Sequence, residues 1–535
     1  MLSSIRKILK MKMKIIKSRI YLFVIISFSC LIGFYSERYD VMNRIIFNIS
    51  NYYENKLKVE TVVSERMIET ALLPLILKTF EFQYLNIESP AGSICSIEND
   101  IIILDRVGKS YIFNENLKSA KVTNWPDIPM NRSEFLKSRY SNYEEHFRVH
   151  GMLCRATDNG YEIFASHEDY VGSEDSTHLV VDRLFIDGNL ASNENSWERI
   201  FKSQPLKALN YFANGSGGRM LSLTKHSIIL TIGDYNLDGV NDEHIVAQDD
   251  SSDFGKVIKI DLRDGSREIV AKGLRNPQGI TRTENGRIII AEQGPKGGDK
   301  IQFLEHGANF GWPLATYGTN YTAYNWPLSN STGRIRDFDK PIFAWLPSPA
   351  ISNLLSLGDF NERWNNDIVV ASLKANNLYR VRLEGDRAVY SEPIWIGERV
   401  RDLTITKSKS IYLWTDTSKL IELTINKSLL NLNRREWSTV LQPSGLNCLT
   451  CHHIGSTVDS HPAPTLSKVL GRKIASDNYS AYSEALKSKN GVWDVETLRR
   501  YLRNPTQFAP GTKMPNQNLT ERQIDEAIGF IKELD

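Results

Sequence analysis

The chain is poor in cysteine, with five in 535 residues, and it carries almost no excess of either charge. Lys and Arg number 65 against 63 Asp and Glu, a net charge of +2. That balance excludes bulk binding of nucleic acid, which needs a basic face. Only one C-x-x-C occurs, at Cys448 and Cys451. A metal knuckle needs further ligands at paired spacing, and no second C-x-x-C supplies them. A dithiol redox pair would open a helix within a thioredoxin-like βαβ pattern, which is also missing. Long helical patterns are nearly absent from residue 81 to 425, and residues 1–19 contain no acid.

What is present begins with "CLTCH", in which His452 directly follows the second thiol. C-x-x-C-H is the attachment sequence of a haem held through two thioethers. Cys448 and Cys451 add to the two vinyl groups, and the turn between them presents His452 to the iron. Downstream, "NPTQFAPGTKMPNQ" sets Met514 in a loop between prolines. A thioether there completes the sixth iron position, and His/Met ligation raises the potential into the electron-carrier range. Of the other cysteines, Cys30 lies in an apolar run. Cys95 and Cys154 pair in an oxidising compartment, or stay as buried thiols acting as small apolar residues.

The amino terminus carries seven Lys and Arg in residues 1–19, followed by the uncharged run "IYLFVIISFSCLIGFYS" from Ile20 to Ser36. As a helix this run spans about 25 Å, a little less than the ~30 Å hydrocarbon core. The basic flank predicts a single anchor with its amino end in the cytoplasm and the bulk of the chain in the periplasm, at the inner membrane. A cleaved signal peptide is the alternative, although no small-x-small cleavage site follows clearly. A lipoprotein cysteine at Cys30 is a third, and export follows from all three.

Further on, the pattern divides the chain. Residues 37–80 read as a helical stalk or lead-in, with apolar residues of "SERMIETALLPLILKTF" at helical spacing. Residues 81–425 alternate short β-rich runs such as "HSIILTIGD" and "DIVVASLKANNLYRVRLEGDRAVY" with tight-turn sequences "RDGS", "ENGR" and "EGDR". Strands at this spacing are too many for one sandwich, whereas radial blades solve the edge problem. At roughly 40–50 residues per blade, six or seven fit. A large barrel or two sandwiches are the alternatives. Residues 426–439 are a polar linker, and residues 440–535 are helical, with cap-like starts at Asp494 and Thr520.

Residues 440–535 resemble the class I cytochromes c, through "CLTCH", "APTLSKVLGRKIAS", "YSEALK" and "LRRYLRNPTQFAPGTKM". The resemblance implies an all-α domain in which His452 and Met514 ligate the iron and the Pro464 carbonyl orients His452. It further implies that Tyr482 and Trp493 hydrogen-bond a propionate and that Tyr501 lies near Met514. The segment "LQPSGLN" replaces most of the family's first helix.

Residues 205–425 resemble the soluble quinoprotein glucose and sorbosone dehydrogenases, most closely in "KGLRNPQGITRTENGRIIIAEQGPKGGDKIQFLEHGANFGWP". That family is a six-bladed propeller binding pyrroloquinoline quinone with calcium. Such a quinone carries three carboxylates and needs fixed cations. The matching positions are Arg275, Asn276, Gln278, Lys374, Arg399 and Arg401, with the carbonyls of Gly294 and Pro295 for calcium. The family's general base is a histidine two residues before "GGR"; here that position is Gly215, which cannot accept a proton. Asp234, matching the acid that supports this histidine, remains. "DYNLDGVND" mimics the start of a calcium loop but has Ile245 at its twelfth position, and reads as a turn.

The expectation is therefore a multidomain chain: an N-terminal transmembrane helix, an all-β six-bladed propeller and a C-terminal all-α cytochrome c domain. A sugar-like substrate would reduce the quinone, and the haem would deliver electrons to a respiratory acceptor such as another cytochrome or an oxidase. The alternative is a non-enzymatic propeller serving as a binding or docking platform, with only the haem redox-active.

Overall fold

The computed structural model describes residues 62–82, 84–188, 190, 195–206, 215–240, 243–321, 334–358, 360–427, 448, 452, 463–517 and 519–534. Among the described residues, six sheets of four or five strands follow one another along the chain. Their innermost strands are Ser93–Ile97, Val149–Thr157, Gly217–Thr224, Asn276–Arg282, Ile351–Ser356 and Val400–Ile405. Each packs against the next and the last against the first, closing a ring. In that order they define blades 1 to 6 of a propeller. Second strands such as Ser227–Ile232 and Asp367–Ser372 are buried at every position. This is why they read as unbroken apolar runs rather than alternating ones.

Arg219 sits at the hub, on the inner strand of blade 3, almost wholly buried. Its guanidinium pairs with Asp402 of blade 6 at 2.8 Å. It also donates to the carbonyls of Gln278 (blade 4, 3.0 Å), Ser352 (blade 5, 3.3 Å) and Arg401 (blade 6, 3.0 Å), and reaches Ser93 Oγ of blade 1 at 3.4 Å. One side chain thus joins its own blade to four others. A buried guanidinium is tolerated only when paired and hydrogen-bonded in this way. Cys95 and Cys154 form a disulfide between the inner strands of blades 1 and 2, with Cα atoms 5.9 Å apart.

One expectation fails at the amino edge. Within the stretch read as a helical stalk, Val62–Glu69 and Pro74–Glu81 are strands. They complete blade 6 by pairing Pro74–Glu81 with Lys419–Ile425, Leu77 opposite Leu423. The apolar spacing of "TALLPLILKTF" suits either element over so short a run, and tertiary pairing decides. Pro74 stands at the first position of its strand, where the missing N–H costs no ladder bond. Leu75 and Leu77 pack with Leu413, Ile421 and Leu423.

The regular elements described in the C-terminal segment are helices: Glu484–Lys487, Val495–Arg503, Pro505–Phe508 and Glu521–Glu533. Asp494 and Thr520 cap two of them, each side chain accepting from the third helical N–H, with Gln523 completing a capping box on Thr520. Among the described residues no helix is long and apolar enough to cross a membrane. The expected anchor at 20–36, its basic flank and the linker at 428–439 lie outside those residues.

Candidate functional site

Two sites arise, one local in sequence and one assembled from many blades. The local one is an apolar crevice of about 210 Å³ in the C-terminal segment, lined by Cys448, His452, Leu466, Val469, Leu498 and Met514 among others. His452 N–H donates to the Cys448 carbonyl at 2.9 Å, one helical turn that sets ring and thiol on the same side. Its Nδ1 donates to the Pro464 carbonyl at 2.8 Å. That bond fixes the tautomer and leaves Nε2 as the metal-binding atom. Across the crevice, the methionine loop is held by Tyr501, whose hydroxyl bonds Thr512 Oγ1 at 2.7 Å, and by Lys513 Nζ, which donates to the Ala481 carbonyl at 2.8 Å. Cys451 lies outside the described residues.

Tyr482 and Trp493 line the same crevice. Burial pushes the Tyr482 phenol up to about 12, so it stays a hydrogen-bond donor. Arg472 also lines it, a residue the motif reading passed over inside "VLGRK". Its Nη2 donates to the Thr465 carbonyl at 3.0 Å, while its buried Nε has no hydrogen-bond partner among the described residues. An unsatisfied buried guanidinium N–H seeks an anion. An apolar crevice lined by an imidazole, a thioether and an arginine that also pairs with Asp477 at 3.7 Å has the chemistry to take a haem with its propionates.

The second site is the rim of the propeller where inner strands begin and second strands end. Arg275 and Asn276, Arg399 and Arg401, and Gly215 with Gly217 stand at or beside the starts of inner strands. Asp234, Gly294, Pro295, Lys374 and an unforeseen residue, Asp416, follow the ends of second strands. Antiparallel neighbours bring all of these to one rim, so residues far apart in sequence converge.

Within the rim, Asn276 and Gln278 are buried. Asn276 Oδ1 accepts from Gln278 Nε2 at 2.7 Å and from Gly217 N–H at 3.2 Å, and its Nδ2 donates to Gln293 at 2.9 Å. Arg275 Nη1 donates to the Gly294 carbonyl at 3.0 Å, and its buried Nε has no hydrogen-bond partner among the described residues. The guanidinium therefore engages one of the two carbonyls expected to ligate calcium. Lys374 is exposed. Arg399 and Arg401 both bind Asp416, whose carboxylate is buried. Unsatisfied Arg275 and the half-exposed Arg399 present a donor set suited to a multiply charged carboxylate ligand.

Asp234 is fully buried. Its Oδ2 accepts from Trp312 Nε1 at 2.6 Å and its Oδ1 from Asn236 N–H at 2.9 Å. Burial raises its pKa to about 7, against the pull of the nearby Arg275 charge. A Cβ at Gly215 would stand 3.0 Å from Asp234 Oδ1, so the position expected to carry the base abuts the carboxylate expected to support it. The "DYNLDG" segment is a turn: Asp238 Oδ1 accepts from Val240 N–H at 2.9 Å, and no metal-holding group of His, Cys, Asp and Glu occurs among the described residues.

Beside Gly215 lies a network with no motif to announce it. Ser216 Oγ donates to His150 Nδ1 at 3.0 Å, His150 Nε2 donates to Glu168 at 2.9 Å, and Tyr235 OH donates to the same oxygen at 2.8 Å. Burial, with Arg148 adding to it, holds His150 neutral. It is a buried network that ties blade 2 to blade 3 through one Glu168 oxygen.

The sequence profile described as Glucose / Sorbosone dehydrogenase matches residues 88–422. An aldose sugar dehydrogenase of Escherichia coli (strain K12) is 29% identical over 245 residues, which is 42% of this chain and 63% of that protein. The chain thus spans less than two thirds of that relative's length. Cytochrome c 2.1 of Caenorhabditis elegans is 42% identical over 85 residues, 16% of this chain and 74% of that protein. A crystal structure of a glucose dehydrogenase superposes with a TM-score of 0.52 at 24% identity, covering 63% of this chain and 99% of that one, a likeness of fold.

Proposed function

The chain belongs to the glucose/sorbosone dehydrogenase family over its propeller and to the cytochromes c over its C-terminal segment, and from that premise we propose a sugar-oxidising electron-transfer protein. In this reading Cys448 and Cys451 would hold a haem covalently, and His452 and Met514 would ligate its iron. Arg275, Lys374, Arg399 and Arg401 hold the carboxylates of pyrroloquinoline quinone at the propeller rim. The quinone supplies a two-electron acceptor for the hydrogen on the carbon of an aldose, and the haem supplies a one-electron outlet to a respiratory acceptor. Fusion keeps donor and acceptor at high effective concentration. The protein works from the periplasmic face of the inner membrane, anchored through residues 20–36.

The carrying observation is the buried, unsatisfied Nε of Arg275 on a rim that also collects Arg399 and Arg401. The chain's own residues bind and orient, and they must also remove the hydroxyl proton. Gly215 has no side chain to take it. Asp234, titrating near neutrality, is the carboxylate nearest that position. A missing general base costs ~10²–10⁴-fold, so turnover is slow. No step is assigned to calcium, because Arg275 engages the Gly294 carbonyl.

Gly215 also favours a second reading, in which the propeller binds a ligand without oxidising it. Reconstitution separates the two. Haem-loaded protein is mixed without oxygen with the quinone, with and without calcium, and a panel of aldoses. Sugar-dependent growth of the reduced haem α-band is expected. Stoichiometric quinone uptake with the haem left oxidised by every sugar would establish the second reading instead.

A further inference from the structure

We propose that Asp416 is a positioning residue that aims Arg399 and Arg401 together at an anionic ligand on the rim. It rests on the quinone reading above. Arg399 immediately precedes the inner strand of blade 6 and Arg401 sits at a register shift near its start, and both side chains reach the same carboxylate. Two guanidiniums so placed repel each other and, left alone, spread into solvent. Asp416 lies across the ladder, where its N–H donates to the Arg399 carbonyl at 3.0 Å. Its Oδ2 accepts from Arg399 Nε at 2.9 Å and from Arg401 Nη2 at 3.1 Å, and its Oδ1 accepts from Arg401 Nε at 2.8 Å. One carboxylate therefore fixes two guanidinium planes.

The clamp is built rather than incidental. The Asp416 side chain is 7% exposed, against 51% for Arg399 and 11% for Arg401. Burial alone would raise its pKa, but Arg401 and Arg399 outweigh that and hold it below the usual carboxylate range. Arg401 is pinned at its other end, since its carbonyl accepts from the hub residue Arg219 at 3.0 Å. Arg399 Nη1 leans on the Leu373 carbonyl at 3.4 Å, beside Lys374 on blade 5. One buried acid thus holds both arginines, and Arg399 in turn reaches the backbone of blade 5. The bonds to Asp416 draw mainly on the Nε sides, and the terminal nitrogens are the part a ligand carboxylate would engage.

Asp416 carries negative charge beside a site for an anion, which makes the test decisive. If it were only a counter-charge, removing it would tighten anion binding. As a positioning residue its loss weakens binding. Binding of pyrroloquinoline quinone to the full-length protein is measured by calorimetry for wild type, D416N, D416E and R401A. D416N is expected to lose about ten-fold in affinity, R401A at least as much, and D416E to recover most of it, because preorganised donors lose affinity when freed. Equal or tighter binding by D416N overturns the clamp and leaves the quinone reading standing. No uptake by wild type overturns both. Should D416N fail to fold, D416S carries the test in its place: binding about ten-fold looser than wild type, with an unchanged melting temperature, supports the clamp, and equal or tighter binding overturns it.

Discussion

The haem crevice and the propeller rim differ in how they are encoded. The crevice draws its residues from one stretch of chain, 448 to 531, and its ligands stand in short motifs. The rim gathers Asp234, Arg275, Lys374 and Arg401 from four blades, and none stands in a motif that names its partner. Local encoding makes a site independent of the rest of the fold. Distributed encoding makes it depend on every blade's register, and on hub contacts such as Arg219 with Asp402.

Substitutions sharpen that contrast. The largest effect falls on the crevice: C448S/C451S should abolish haem attachment outright and leave propeller melting unchanged, as checked by absorbance and calorimetry. Next, R219A strands Asp402 without its buried partner, which should cost the propeller about 3–5 kcal/mol in chemical unfolding while haem absorbance persists. Loss of haem in R219A would mean the two sites are not independent.

A pH series probes the rim more gently. The Asp234 pKa is raised to about 7 in the fold, above its ordinary 3.8. Its contribution to stability is therefore fully present below pH 4 and lost as pH rises through 7, an effect of a few kcal/mol on unfolding. D234N should flatten that part of the profile. The smallest effect is a gain: G215H should raise sugar-dependent haem reduction by ~10²-fold if a general base is all the rim lacks. No gain would favour the binding platform.

Legibility followed the same division. His452, Met514, Tyr482 and Trp493 could be named from spacing and resemblance, because their neighbours in space are neighbours in sequence. Asp416, Arg219 and the Ser216–His150–Glu168 network were not visible, since each takes its meaning from a strand tens or hundreds of residues away. The reading of residues 62–80 as helix failed for the same reason. Five or six apolar residues satisfy both periods, and only the partner strand at 419–425 selects one.

That partner strand has a kinetic meaning. Blade 6 takes two strands from before residue 82 and three from after residue 399, so more than three hundred residues must be laid down before the ring can shut. Pairing over such a separation is slow, and until it happens Pro74–Glu81 is an unpaired apolar edge. The chain enters this blade at its outermost strand, Val62–Glu69, and leaves toward the haem segment from Lys419–Ile425, so Pro74–Glu81, lying between them, is the one strand that both flanks depend on to keep the ring shut.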